Sequence, residues 1–179
     1  PNADTNTVWL GIYEGTPADP GVGDIHDLSG NGNDNTAAAD VSWGECCTVY
    51  YGNYTPYFTR YMASNATTSV VDCGSDASID DLANSDLTVE AWVRADGYGE
   101  AGAGIIATKQ TAGGGWQLNL RQVATSLYCI VDCPTDSETE VLFVADSSWH
   151  HVAFVWNATT LIGRLFVDGL EPPYIQQTA

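Results

Sequence analysis

Two segments constrain what this chain can become: Leu87-Thr-Val-Glu-Ala-Trp-Val-Arg94 and Trp149-His-His-Val-Ala-Phe-Val-Trp156. Each reads as an alternating β-strand of about eight residues. The second passes through a polar turn, Asn157-Ala-Thr-Thr160, into Leu161-Ile-Gly-Arg-Leu-Phe-Val167. That strand stops at Asp168-Gly169, a dipeptide that favours a two-residue hairpin turn.

Nothing in the chain reads as a long amphipathic helix. Thr, Val, Tyr and Trp dominate the ordered stretches, which is strand composition. Further strands are expected at Thr7–Tyr13, Val41–Trp43, Ser69–Cys73, Gly104–Lys109, Gly115–Arg121, Leu127–Asp132 and Glu140–Ala145. Many short strands with Gly- and Asp-rich turns predict an all-β antiparallel sandwich. No internal repeat or domain boundary is visible, so residues 1–179 read as a single domain. Gly44 to Tyr61 stands apart, with two cysteines and a dense run of aromatics, and reads as an insertion.

Five basic side chains face 23 acidic ones, a net charge of −18. Phosphate backbones and anionic bilayers would be repelled, which disfavours nucleic-acid and membrane-surface partners. No apolar run approaches the ~18 residues of a transmembrane helix, and no signal peptide is visible. The cysteines Cys46, Cys47, Cys73, Cys129 and Cys133 form no C-x-x-C zinc pattern. On one strand, Cys129 and Cys133 would lie about 13 Å apart, beyond the ~7 Å that a disulfide spans. Bonding adjacent Cys46 and Cys47 would strain the backbone. Cys129 and Cys133 are therefore expected to reach across to Cys46, Cys47 and Cys73, leaving one thiol over or bonded to another chain. Buried free cysteines in a reducing compartment are the alternative, but acidity, scarce lysine and three N-x-S/T sequons at Asn53, Asn65 and Asn157 point to an oxidising, extracellular or cell-surface setting.

Asp27–Asn33, Leu87–Arg94, Ile105–Lys109, Gly114–Leu118, Trp149–Ala153 and Phe166–Gly169 follow one another in an order that resembles laminin G-like jelly rolls of the concanavalin A-like superfamily. Asp27-Leu-Ser-Gly-Asn-Gly-Asn33 resembles the early glycine-rich loop, and Leu87–Arg94 the central strand. Ile105-Ile-Ala-Thr-Lys109 and Gly114-Gly-Trp-Gln-Leu118 resemble the next pair. Trp149-His-His-Val-Ala153 and Phe166-Val-Asp-Gly169 resemble the late hairpin. The resemblance implies a binding or assembly scaffold. It also implies further strands after the hairpin, where this sequence has only Leu170–Ala179, interrupted by Pro172-Pro173. Since proline donates no ladder hydrogen bond, only a short strand is expected beyond them. The sandwich is thus expected to lack its last one or two strands, leaving an open edge that another chain could complete.

Asp27, Ser29, Asn31 and Asn33 place oxygens at alternate positions around Gly32, a pattern suited to calcium. A glycine-driven turn with self-bonded Asp and Asn side chains explains the same residues. His150 and His151 point to opposite faces of a strand and read as structural. Enzymes of the superfamily carry a Glu-x-Asp-x-x-Glu strand that supplies two carboxylates, and no such string occurs here. Glu138 and Glu140 are expected in a polar turn with Asp136, and Glu90 is expected to pair with Arg94. Trp92, Trp149 and Trp156 are expected in the core. Tyr50, Tyr51, Tyr54, Tyr57 and Phe58 offer either a contact surface or a flap over the open edge.

The sequence therefore predicts a non-enzymatic extracellular module. One form is an assembly subunit joined to copies of itself or another extracellular protein by strand complementation. The alternative is a carbohydrate- or protein-binding module with a calcium-shaped loop.

Overall fold

The computed structural model describes residues 11–13, 24–27, 35–37, 41–49, 57–64, 71–72, 85–99, 102–111, 114–132 and 136–178. The chain divides into two compact units, Pro1–Ser78 and Ile79–Ala179. In the first unit, β1 (Gly11–Tyr13), β2 (Asp24–Asp27), β3 (Asn35–Ala37) and β6 (Val71–Asp72) form an antiparallel sheet in the order β1-β2-β3-β6. β4 (Val41–Val49) and β5 (Tyr57–Ser64) form a separate antiparallel pair, with a bulge between Glu45 and Cys47. Residues 44–49 and 57–61 of the Cys- and Tyr-rich segment thus lie in this strand pair.

The second unit contains two antiparallel sheets. β7 (Leu87–Arg94), β12 (Trp149–Asn157) and β13 (Ile162–Val167) form one, in the order β13-β12-β7. β8 (Ala103–Thr111), β9 (Gly114–Arg121), β10 (Ser126–Asp132), β11 (Asp136–Leu142) and β14 (Tyr174–Gln177) form the other, in the order β14-β11-β10-β9-β8. The strand predicted at Leu87–Arg94 coincides with β7, and the prediction for β12 stops one residue short of it.

Side-chain alternation explains how the sheets pack. Leu87, Val89, Ala91 and Val93 share one face of β7, and Val152, Phe154 and Trp156 share one face of β12. These meet Leu118, Leu120, Leu127, Cys129, Val131 and Val141 of the five-stranded sheet in a single apolar core. The second unit is a jelly-roll sandwich built around that core.

Two expectations about strand bounds are corrected. The strand expected at Glu140–Ala145 instead spans Asp136–Leu142. Its full length ladders against β10, from Asp132↔Asp136 to Ser126↔Leu142. Alternation places Ser137, Thr139 and Val141 inward, so Glu138 and Glu140 lie on the opposite face of a strand and not in a turn. The strand expected at Leu161–Val167 begins at Ile162, because Leu161 closes the preceding turn with a φ of 56°.

Asp168-Gly169 forms the two-residue turn that the dipeptide predicts. Both residues have positive φ, 52° and 76°, as a type I′ turn requires. Val167 and Leu170 exchange backbone hydrogen bonds of 2.8 and 3.0 Å, but pairing ends at that bridge. Pro172-Pro173 follows, and neither residue can donate to a ladder. The chain crosses to the other sheet, where β14 pairs with β11. The short strand expected after the two prolines is therefore present.

Candidate functional site

The outer face of β7-β12-β13 carries the residues that alternate with the core positions. These are Thr88, Glu90, Trp92 and Arg94 on β7, then Trp149, His151, Ala153 and Val155 on β12. Arg164 and Phe166 continue the face on β13. Trp92 is 66% exposed, so the core position expected for it is wrong. Its parity in the strand is that of Glu90 and Arg94. Trp156 has the opposite parity and is 1% exposed in the core, as expected, whereas Trp149 is half-buried on the outer face.

His151 lies across from Trp92, with ring centroids 5.4 Å apart and planes tilted by 54°. Its Nε2 is 3.4 Å from Glu90 Oε2. Arg94 reaches Asp96 at 3.6 Å, so Glu90 pairs with His151 and not with Arg94. Cross-strand neighbours stand closer than residues four apart along an extended strand, which favours this arrangement. At the far edge the Arg164 guanidinium lies 5.1 Å from the Phe166 ring centre and binds Glu171, which also accepts from the Tyr174 hydroxyl. Arg164, with help from Tyr174, holds the Glu171 carboxyl at about 2, so the clamp stays charged across the neutral range. The face thus presents an open indole flanked by a carboxylate and an imidazole.

A second polar cluster lies on the five-stranded sheet. The Tyr128 hydroxyl donates to Glu138 Oε1 at 2.8 Å, and Gln176 Nε2 donates to Glu138 Oε2 at 2.6 Å. Ser126 Oγ donates to Glu140 Oε1 at 2.5 Å, and Arg121 Nη1 stands 3.7 Å from that oxygen. The Arg121 guanidinium also covers the Tyr128 ring at 4.4 Å. Burial and the Glu138 bond push the Tyr128 hydroxyl far above its usual range. Both carboxylates are therefore committed to hydrogen bonds that tie β10, β11 and β14 together, with an ion pair from Glu140 to Arg121 on β9. Beside them Asn119 Oδ1 is buried and has no hydrogen-bond partner among the described residues.

The other sequence candidates fall as follows. Asp27 ends β2, while Ser29, Asn31 and Asn33 lie outside the described residues. No group of three His, Cys, Asp or Glu among the described residues is placed to hold a metal ion. Cys46 and Cys47 lie in β4, while Cys73 and Cys133 lie outside the described residues. Cys129 is a free thiol, which corrects the disulfide expected for it. It faces the core, donates weakly to the Ile130 carbonyl at 3.9 Å, and burial raises its pKa well above the ordinary thiol value. Tyr57 and Phe58 lie in β5, and Tyr50, Tyr51 and Tyr54 lie outside the described residues.

Of the sequons, Asn53 and Asn65 lie outside the described residues, and Asn157 ends β12. Asn157 Oδ1 accepts from the amides of Thr159 and Thr160 at 3.1 and 2.8 Å and from Thr160 Oγ1 at 3.0 Å. It shapes the turn that starts β13. Asn157→Ala should therefore lower stability by about 1 kcal/mol in urea unfolding.

The family profile for laminin G-type domains of the concanavalin A-like lectin/glucanases superfamily matches residues 65–173, more than half of the chain. The chain belongs to this superfamily. A search of curated proteins finds no match. Membership in the superfamily suggests a binding or structural module. Among the described residues, no helix is long and apolar enough to cross a membrane.

Proposed function

We propose that this member of the superfamily is a non-catalytic, extracellular recognition module that binds neutral glycans on the outer face of β7-β12-β13. The observation that carries the reading is the 66% exposed Trp92 beside the Glu90–His151 pair. An open indole offers a flat apolar surface to the C–H face of a sugar ring. Glu90 accepts, and His151 donates or accepts, at the edge where hydroxyls would lie. The net charge of −18 disfavours acidic polysaccharides. Engagement of both Glu138 and Glu140 in structural hydrogen bonds favours binding over hydrolysis.

The test is a glycan array containing neutral and acidic oligosaccharides, followed by titration of Trp92→Ala. Neutral glycans should bind, and the variant should lose about 2 kcal/mol, roughly thirtyfold in affinity. Because Trp92 lies outside the core, its melting temperature should stay near that of the parent. Undiminished binding by the variant, or an array without hits, would overturn the reading.

A second reading, assembly by strand addition, is favoured by the outer edge of β13. Among the described residues its backbone pairs with no strand beyond the Val167↔Leu170 bridge, although the Thr139 and Gln177 side chains reach the Gly163 carbonyl. Such an edge accepts an added strand. Mass measured by light scattering should then rise with concentration, and a constant monomer mass would dispose of it.

A further inference from the structure

His150 points to the opposite side of β12 from His151, into one end of the core, where it meets the Phe143 ring edge-on at 5.4 Å. Its Nδ1 lies 2.7 Å from Asp168 Oδ2, and its Nε2 lies 3.2 Å from Asp146 Oδ1. Carboxylates only accept, and a neutral imidazole carries one N–H. Both contacts are hydrogen bonds only when the ring is an imidazolium. Asp168 also holds the next residue: its Oδ1 accepts from the His151 amide at 2.9 Å, and its own amide donates to the His151 carbonyl at 2.8 Å. One carboxylate in the type I′ turn therefore fixes both the His150 ring and the backbone of His151, which stands beside Trp92.

We propose that Asp146, His150 and Asp168 form a protonation-dependent clasp that positions His151 on the glycan-binding face. Its effect on ligand affinity rests on the glycan reading above, whereas the clasp itself does not. The Asp168 hydrogen bond, aided by Asp146 and opposed by desolvation, raises the His150 pKa above its ordinary value. His150 lowers the Asp168 carboxyl, helped by the His151 amide. Asp146 is lowered first by the Ser148 amide and then by His150.

The remaining neighbours are identifiable. Ala95, after β7, accepts from the Ser147 amide through its carbonyl. The Tyr98 hydroxyl donates to the Phe143 carbonyl and accepts from the Ala145 amide. The Glu90–His151 pair lies on the outer face of the sheet. A raised histidine pKa stabilises the fold fully below the unfolded value near 6.5 and is lost as pH rises through the folded value. Lowered carboxylate pKa values stabilise above about 3.8 and are lost as pH falls through their folded values. The clasp is therefore complete from mildly acidic pH up to the folded pKa of His150, and above it the neutral ring keeps a bond to at most one of the two carboxylates, which loosens the hold on Asp168.

The experiment is an NMR titration of the His150 ring in the full chain, with amide-exchange protection at His151 and Leu170 corrected for intrinsic rates. His150 should titrate above an ordinary histidine, and His151 protection should fall roughly tenfold through the same transition. Asp168→Asn should lower the His150 pKa and flatten the protection profile. If that variant does not fold, the titration of the parent chain decides. A His150 that titrates at or below its ordinary value, or His151 protection that is flat across its titration, overturns the clasp. High titration with falling protection supports the clasp even if no glycan binds, in which case only the glycan reading fails.

Discussion

Trp156→Ala lowers the stability of the full chain by about 3–5 kcal/mol in urea unfolding, the cost of a large cavity in a close-packed core. Trp156 is among the largest fully buried side chains and lies in one cluster with Phe154, Leu165, Leu118 and Leu127. Its β-strand position gives it no freedom to swing outward, because Trp156↔Leu87 and Trp156↔Gly163 pairings fix the backbone on both sides. Deleting the indole therefore leaves an apolar void that the sheets cannot close without breaking their ladders. A loss under 1 kcal/mol would mean that the core is not packed as described.

Gly163→Val produces the next largest loss, about 1–3 kcal/mol or more, from the opposite defect. A Cβ at Gly163 would stand 2.6 Å from Phe154 Cε2 and 2.6 Å from Thr139 Oγ1. Thr139 is on β11, in the other sheet, and its hydroxyl donates to the Gly163 carbonyl at 3.3 Å. Gln177 Nε2, on β14, donates to the same carbonyl at 2.8 Å. Gly163 is thus where the two sheets approach so closely that no side chain fits between them. Valine would displace the Phe154 ring and break both inter-sheet hydrogen bonds. The melting temperature of the variant measures the effect, and an unchanged value would show that the sheets can separate there.

The fold of the second unit was legible because its strands carry strong signals. The alternation of Leu87–Arg94 and Trp149–Trp156 and the Asp168-Gly169 turn each needed only local reasoning. β11 was harder, because Asp136-Ser-Glu-Thr-Glu140 is polar enough to pass for a turn. Its strand character comes from partners far away in sequence: Ser126, Tyr128, Arg121 and Gln176 satisfy its carboxylates. β2 and β3 were missed because strands of four and three residues beside a Gly-rich stretch show no clear period, and β5 because its aromatic run does not alternate.

Trp92 illustrates an error that the sequence itself could have prevented. Its position in a strand said nothing about burial, but its shared parity with Glu90 and Arg94 marked it as outward-facing. The His150 clasp had no such signal. Asp146 and Asp168 approach His150 only because the loop after β11 and the turn after β13 end beside the start of β12.

The order of strands in the five-stranded sheet also sets how the unit folds. β8, β9 and β10 each pair with the next strand in the chain, so that part of the sheet closes through short loops. The β7–β12 seam instead joins Arg94 to Trp149 across the whole of that meander. Closing the longer loop costs more chain entropy before any contact repays it. The meander is therefore expected to form first, as the template on which β7 and β12 meet. Substitutions within the meander should change the folding rate, whereas those along the later-formed β7–β12 seam should act mainly on unfolding.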